Sequence, residues 1–134
     1  MPIDHVAIWT AQLEELKDYY VRYFNGNATN KYSNIETGFE SYFVTFESGT
    51  RLELMQKPGI PRNLNDTVGK QYLGIIHLAF GFENMAMVNE KLNELTRDGF
   101  RILRGPRRTG DGYYEFETLD PDNNRIEVST IFVE

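Results

Sequence analysis

The chain carries two histidines and no cysteine, so any transition-metal site must be built from imidazole and carboxylate donors. The histidines, His5 and His77, open two similar stretches, His5-Val6-Ala7-Ile8 and His77-Leu78-Ala79-Phe80. Each is followed downstream by an Arg-aliphatic-Glu-aliphatic run, Arg51-Leu52-Glu53-Leu54 and Arg125-Ile126-Glu127-Val128. A single strand histidine usually has a structural role, and a single strand glutamate more so. Here both histidines sit at matched positions and each has a matched glutamate. Two nitrogens and two oxygens with room for water suit one divalent Zn²⁺, Ni²⁺, Co²⁺ or Mn²⁺ ion per site, whereas Ca²⁺ and Mg²⁺ prefer all-oxygen shells. The remaining positions would admit substrate oxygens.

These residues need elements that aim them. Ile3 to Trp9 reads as a strand, with Thr10 capping a helix whose Leu13, Leu16, Tyr20, Tyr23 and Phe24 recur at three and four residues until Gly26. Glu40 to Phe46 and Arg51 to Gln56 read as strands joined by Glu47-Ser48-Gly49-Thr50, with a shorter strand near Lys31 to Ile35. Leu73 restarts the pattern: a strand through Phe82, a cap at Asn84, and a helix with Met85, Val88, Leu92 and Leu95 on one stripe, closed by Gly99. Phe100 to Arg104 reads as a strand, Gly105 to Gly112 as a flexible loop, and Tyr113 to Thr118 and Arg125 to Val133 as a hairpin around Asp120-Pro121-Asp122-Asn123-Asn124.

The chain is therefore one unit used twice, an α+β fold of two tandem βαβββ modules, residues 1–57 and 71–134, joined by a linker at 58–70 rich in turn residues. His5 to Tyr42 and His77 to Tyr114 are equally spaced, while His77 to Glu127 is two residues longer than His5 to Glu53. Those two residues are expected in the second hairpin turn. Strand alternation places His5, Glu53, His77 and Glu127 on faces turned away from the helices. If both sheets are curved into one with the helices outside, those faces enclose a central cleft.

At 134 residues the chain is about one domain long and buries roughly two-thirds of its unfolded surface without a staple. A net charge of −6 argues against nucleic acid or an anionic membrane as the main partner. No run approaches the ~18 apolar residues of a membrane span, and no signal-like h-region follows Met1, so a cytoplasmic address is expected.

The paired His and Glu strands, with the Asp120-Pro121-Asp122-Asn123-Asn124-Arg125-Ile126-Glu127 segment, resemble the vicinal oxygen chelate superfamily of glyoxalase I, methylmalonyl-CoA epimerase, extradiol dioxygenases and the bleomycin and fosfomycin resistance proteins. The His, Glu, His, Glu order most resembles bacterial glyoxalase I-like lyases. The resemblance implies a metal-dependent lyase or isomerase acting on a small oxygenated, 2-oxo or thiol-adduct substrate. In such chemistry the metal polarises a carbonyl or enediolate oxygen, and a carboxylate moves the proton between carbons. Glu127 is the base by resemblance, with Glu53 able to share that role. The rival reading is a drug- or metabolite-binding protein of the same fold without turnover.

Glutathione-using members carry an arginine four residues after the first ligand and an asparagine four after the second. Trp9 and Lys57 stand there instead, which makes them candidate substrate-binding residues. Arg107, with Arg104 and Arg108, is expected on a loop that could close over an anion. Glu115 and Glu117 alternate with Tyr114 and Phe116 and either share the cleft face or, as is more usual for such residues, supply surface acidity, and exposed sheet edges favour a homodimer.

Overall fold

The computed structural model describes residues 1–132; Val133, the expected end of the last strand, lies outside them. Two compact units divide the chain, Met1–Leu64 and the residues from Asn65 onward, so the expected linker at 58–70 straddles the division.

The first unit runs β1 (His5–Trp9), α1 (Leu13–Phe24), β2 (Asn27–Ala28), β3 (Tyr32–Asn34), β4 (Phe39–Thr45) and β5 (Arg51–Gln56). The second runs β6 (His77–Gly81), α2 (Met85–Arg97), β7 (Ile102–Arg108), β8 (Tyr113–Leu119) and β9 (Arg125–Ile131). The first sheet has the order β1-β5-β4-β2 with β3 also on β4, and the second the order β6-β9-β8-β7. β1 runs parallel to β5 and β6 parallel to β9, while the other pairs are antiparallel. The α+β class and the two mixed sheets are as the sequence led us to expect.

Each sheet gives one face to its helix. α1 buries Leu13, Leu16, Tyr19, Tyr20, Tyr23 and Phe24, and the strands behind it bury Val44, Leu52 and Leu54. In the second unit Val88 and Leu95 meet Phe116, Ile126 and Val128. Full burial of such a side chain stabilises by roughly 1.5–3 kcal/mol. Leu52 and Leu54 therefore fix which way Glu53 points, since a one-residue slip would bury the glutamate under the helix.

Several local expectations are corrected. The N-cap of α1 is Gln12, not Thr10, whose Oγ1 accepts from the Gln12 N–H at 3.0 Å. Asn25, in a left-handed conformation, caps the helix end. Gly26 follows where a Cβ would strike Val44 Cγ1, so only glycine lets this corner approach the sheet. Asn84 does cap α2, its Oδ1 accepting from Met87 N–H at 2.9 Å.

The two extra residues of the second half are not in its hairpin turn. Thr45 pairs with Arg51 and Leu119 with Arg125, and the turns between them, 46–50 and 120–124, are equally long, closed by Phe46 N–H to Thr50 O and Asp120 N–H to Asn124 O. Asp120 shapes the second by accepting from the N–H groups of Asp122 and Asn124. The insertion therefore lies before β8. Opposite the aliphatic after each glutamate, Tyr42 on Leu54 matches Phe116 on Val128 rather than Tyr114.

Candidate metal centre

In the first unit the register sets Ala7 beside Glu53 and Phe43 on its other side, with His5 beside Arg51. His5 Nε2 lies 3.6 Å from Glu53 Oε1. The other ring nitrogen, Nδ1, donates to Asp4 Oδ2 at 2.7 Å, and Arg51 Nη2 donates to that same oxygen at 2.6 Å. A carboxylate on one imidazole nitrogen fixes the tautomer and leaves the opposite lone pair for a ligand. His5, then Arg51, hold the Asp4 carboxyl below its ordinary range. The Phe43 ring stands edge-on to His5 at 5.3 Å and beneath the Arg51 guanidinium at 4.4 Å.

The second unit repeats the backbone arrangement and changes its contents. Ala79 pairs with Glu127 and Glu127 with Glu117, and His77 Nε2 lies 3.4 Å from Glu127 Oε2. Glu117 stands where the first unit has Phe43. His77, Glu117 and Glu127 each bring a donor atom within 4.8 Å of the others.

Glu115 and Glu117, expected to be surface acids, are instead buried, at 7% and 8% exposure. Three arginines accompany them. Arg107 Nη2 donates to Glu115 Oε1 at 3.0 Å, while Arg125 Nη1 and Arg104 Nε lie 3.6 and 3.9 Å from Glu117 Oε2. Arg125 also donates to the carbonyls of Thr67 and Val68, at 3.2 and 2.9 Å, tying that segment to β9.

Arg107 reaches Glu115 because the expected loop at 105–112 is strand as far as Arg108, with a register shift between Arg104 and Arg107. The bulge puts Arg107, rather than Pro106, opposite Glu115. Gly105 permits it: its φ is +90°, and a Cβ there would come within 2.7 Å of the Glu115 carbonyl.

Burial pushes the Glu127 carboxyl up to about 7, helped by its hydrogen bond with Glu115 and the charges of Glu115 and Glu117, against the pull of Arg107. Burial thus moves Glu127 in the direction a general base needs. A bound cation would act the other way.

An ion with ~2.0–2.2 Å bonds in tetrahedral coordination sets its donors roughly 3.3–3.6 Å apart. The second-unit cluster, an imidazole and two carboxylates held on strands with donor atoms within 4.8 Å of one another, is of a type and size that suits a divalent ion. Of the candidate substrate residues, Trp9 is 42% exposed and has Lys57 Nζ 5.8 Å from its ring centre.

The family description Glyoxalase/Bleomycin resistance protein/Dioxygenase superfamily matches residues 2–128. The chain belongs to this superfamily. It is 37% identical over 59 residues to the uncharacterized protein YqjT of Bacillus subtilis (strain 168), an alignment covering 42% of this chain and 46% of that protein. A glyoxalase family protein from Bacillus cereus shares the fold at a TM-score of 0.81 and 16% identity, covering 99% of this chain and 95% of that one. The trypanothione-dependent glyoxalase I of Leishmania major aligns at a TM-score of 0.75 and 20% identity, over 97% of this chain and 86% of that one. At these identities the structural likeness shows the fold.

Sequence reasoning paired each His with its Glu and, for Glu117, weighed a cleft position but favoured surface acidity. The signal was available: counting back from Asp120-Pro121-Asp122-Asn123-Asn124 puts Glu117 opposite Glu127. No helix among the described residues is long and apolar enough to cross a membrane.

Proposed function

We propose that this superfamily member is a metal-dependent lyase or isomerase of the glyoxalase I type, acting on a small oxygenated substrate, with His5, Glu53, His77 and Glu127 as protein ligands. The observation that carries this reading is the repeated His–Glu contact, 3.6 Å in one unit and 3.4 Å in the other, on strands of matched register. A bound divalent ion would supply Lewis-acid polarisation of a substrate oxygen. The protein's own part is to move the proton. Glu127, on the face of β9 turned away from α2, takes it from the carbon beside the carbonyl and returns it to the neighbouring carbon, with Glu53 as the second carboxylate able to share the transfer. Arg107 and Arg125 hold Glu115 and Glu117 in place, so the second-unit carboxylates stay clustered despite their like charge. A cytoplasmic address and a homodimer belong to the same proposal.

Elemental analysis after stripping and reloading with Zn²⁺, Ni²⁺, Co²⁺ or Mn²⁺ tests it, comparing the parent with His5→Ala and His77→Ala. A stoichiometric ion in the parent, lost in both variants, is the expected result. An ion retained in either variant would remove that histidine from the ligand set, and no specific ion in the parent would overturn the metal reading. A loaded protein that binds carbonyl compounds but turns over none of a 2-oxo, thiol-adduct and CoA-ester panel would transfer the conclusion to a binding protein.

A further inference from the structure

The open face of the first sheet carries a group of residues that metal chemistry does not use. Trp9 shares that face with His5 by strand alternation, and the register sets Trp9, Met55, Ser41 and Tyr32 in one row across β1, β5, β4 and β3. Phe39, two residues before Ser41, packs its ring edge-on to Trp9 at 6.1 Å and tilted on Tyr32 at 6.0 Å. The small Ser41 sits inside this bracket of larger side chains. Trp9 and Tyr32 remain 42% and 57% exposed, so their rings are open to a ligand laid on this sheet face. The equivalent row in the second sheet is Gly81, Ser129, Glu115 and Arg107, so the aromatic strip is a property of the first half alone.

Two features specify what the strip would hold. Lys57 Nζ stands 5.8 Å from the Trp9 ring centre, just past the end of β5, and brings a cation to the strip. The strip also adjoins Glu53, since Glu53 and Met55 are successive residues on the same face of β5, roughly 7 Å apart. A ligand with one end at Glu53 therefore has its other end over Trp9 and Met55.

We propose that Trp9, Phe39, Tyr32 and Lys57 form a subsite for a flat aromatic group bearing a negative charge, the rings receiving the flat group and Lys57 the anion. The assignment deepens the proposed function by naming its substrate class, and rests on that reading for the link to turnover but not for binding. Ring-on-ring contact adds to ordinary burial, and one exposed ion pair gives modest selectivity.

Trp9 is the sole tryptophan, so its emission reports on this strip directly. The full-length protein, as purified and again after chelation, would be titrated with 3-phenylpropionate, 3-phenylpropanol and propionate. Expected are a saturable change with 3-phenylpropionate, about fivefold weaker binding of the alcohol, and no response to propionate. Lys57→Ala should erase the gap between acid and alcohol, and Tyr32→Ala, at an exposed position, should weaken both equally. No saturable response to 3-phenylpropionate, a gap that survives Lys57→Ala, or propionate binding as well as the aromatic acid would overturn the subsite. So would emission that follows protein dilution rather than ligand, which would mean a second copy covers the strip. Chelation separates the two readings: aromatic-acid binding in a protein that takes up no metal sinks the lyase and keeps the subsite, while metal uptake without a Trp9 response does the reverse.

Discussion

Opposite its second-strand glutamate the first half carries Phe43 and the second carries Glu117; one row further, Met55 and Ser41 face Trp9 where Ser129 and Glu115 face Gly81. The backbone frame is the same in both, as is the His–Glu contact. What differs lies on the neighbouring strand, where Phe43 and Ser41 in the first half stand against Glu117 and Glu115 in the second. The first half surrounds its pair with rings and leaves a strip of them exposed, whereas the second surrounds its pair with two buried carboxylates and the arginines that hold them. Duplication supplies two copies of a donor pair for one register. On the proposed function, divergence at the cross-strand neighbours would let one copy contact apolar groups and the other handle protons.

The sharpest way to break this division is to remove one glutamate at a time. Glu127→Gln, whose amide oxygen can still serve as a ligand but cannot accept the proton, should still load at saturating metal and lose most turnover, about 10²–10⁴-fold, the usual worth of a positioned general base. Glu53→Gln, which lacks buried carboxylate neighbours of the Glu117 kind, should lose less. Metal content and turnover measured on the same samples check this. Turnover retained by metal-loaded Glu127→Gln would sink its role, and equal losses in both variants would erase the functional asymmetry between halves.

How far this asymmetry could be read without coordinates depends on the kind of signal. The His–Glu pairs were legible because each partner sits in an alternating strand whose aliphatic neighbours fix its face; Leu52 and Leu54 settle Glu53, and Ile126 and Val128 settle Glu127. The helices were legible for the same reason at period 3.6. Their exact starts were not, because Thr10 and Gln12 compete for the same turn and the difference is one local hydrogen bond. Glu115 and Glu117 were misjudged because acidity in a strand usually means water, and their burial is offset by Arg104 and Arg107 across the β7 bulge and by Arg125 on β9. That bulge depends on Gly105, which with Pro106 reads equally well as a loop. The placement of the two-residue insertion failed for a related reason: equal spacing to Tyr42 and Tyr114 was coincidental, and the hairpin register follows turn length instead.

A second comparison concerns what steadies each donor pair. In the second half Glu117, with a side chain only 11% exposed, lies within the donor cluster, so Glu117→Gln should cost about 10–100-fold in metal affinity, as loss of a ligand's supporting partner does. In the first half Asp4, 71% exposed, orients His5 from outside, and Asp4→Asn should cost a few-fold at most because solvent screens the contact. Chelator competition with Co²⁺ measures both. The ring-nitrogen shifts of His5 by NMR in metal-free protein give a separate readout: Asp4→Asn should lower the population with the proton on Nδ1, and an unchanged tautomer would remove Asp4 from the positioning role. If Asp4→Asn proved as costly as Glu117→Gln, the support of the two pairs would be equal after all.

The smallest effect separates the halves by pH, at the pins between helix and sheet. In the first half the Tyr42 hydroxyl donates to both Glu14 carboxylate oxygens, at 3.0 and 2.9 Å, and Lys31 Nζ lies 2.7 Å from Glu14. In the second, the Tyr114 hydroxyl donates to the neutral Asn89 Oδ1 at 2.7 Å. Lys31 first, then Tyr42, hold Glu14 below its ordinary value of 4.5. A depressed carboxyl stabilises the fold above the unfolded-chain value and loses that contribution as pH falls through the lower folded-state value. Thermal melts should therefore show the parent slightly more stable than Glu14→Gln near neutrality, with the two converging on acidification below the ordinary glutamate range. Asn89→Ala, which removes an uncharged pin, should differ from the parent by an amount that does not change over that window. Because Glu14 and Lys31 are exposed, salt should shrink the Glu14 difference as well. A Glu14→Gln difference indifferent to both acid and salt would show that the first-half pin works through its hydrogen bonds alone, as the second-half pin does.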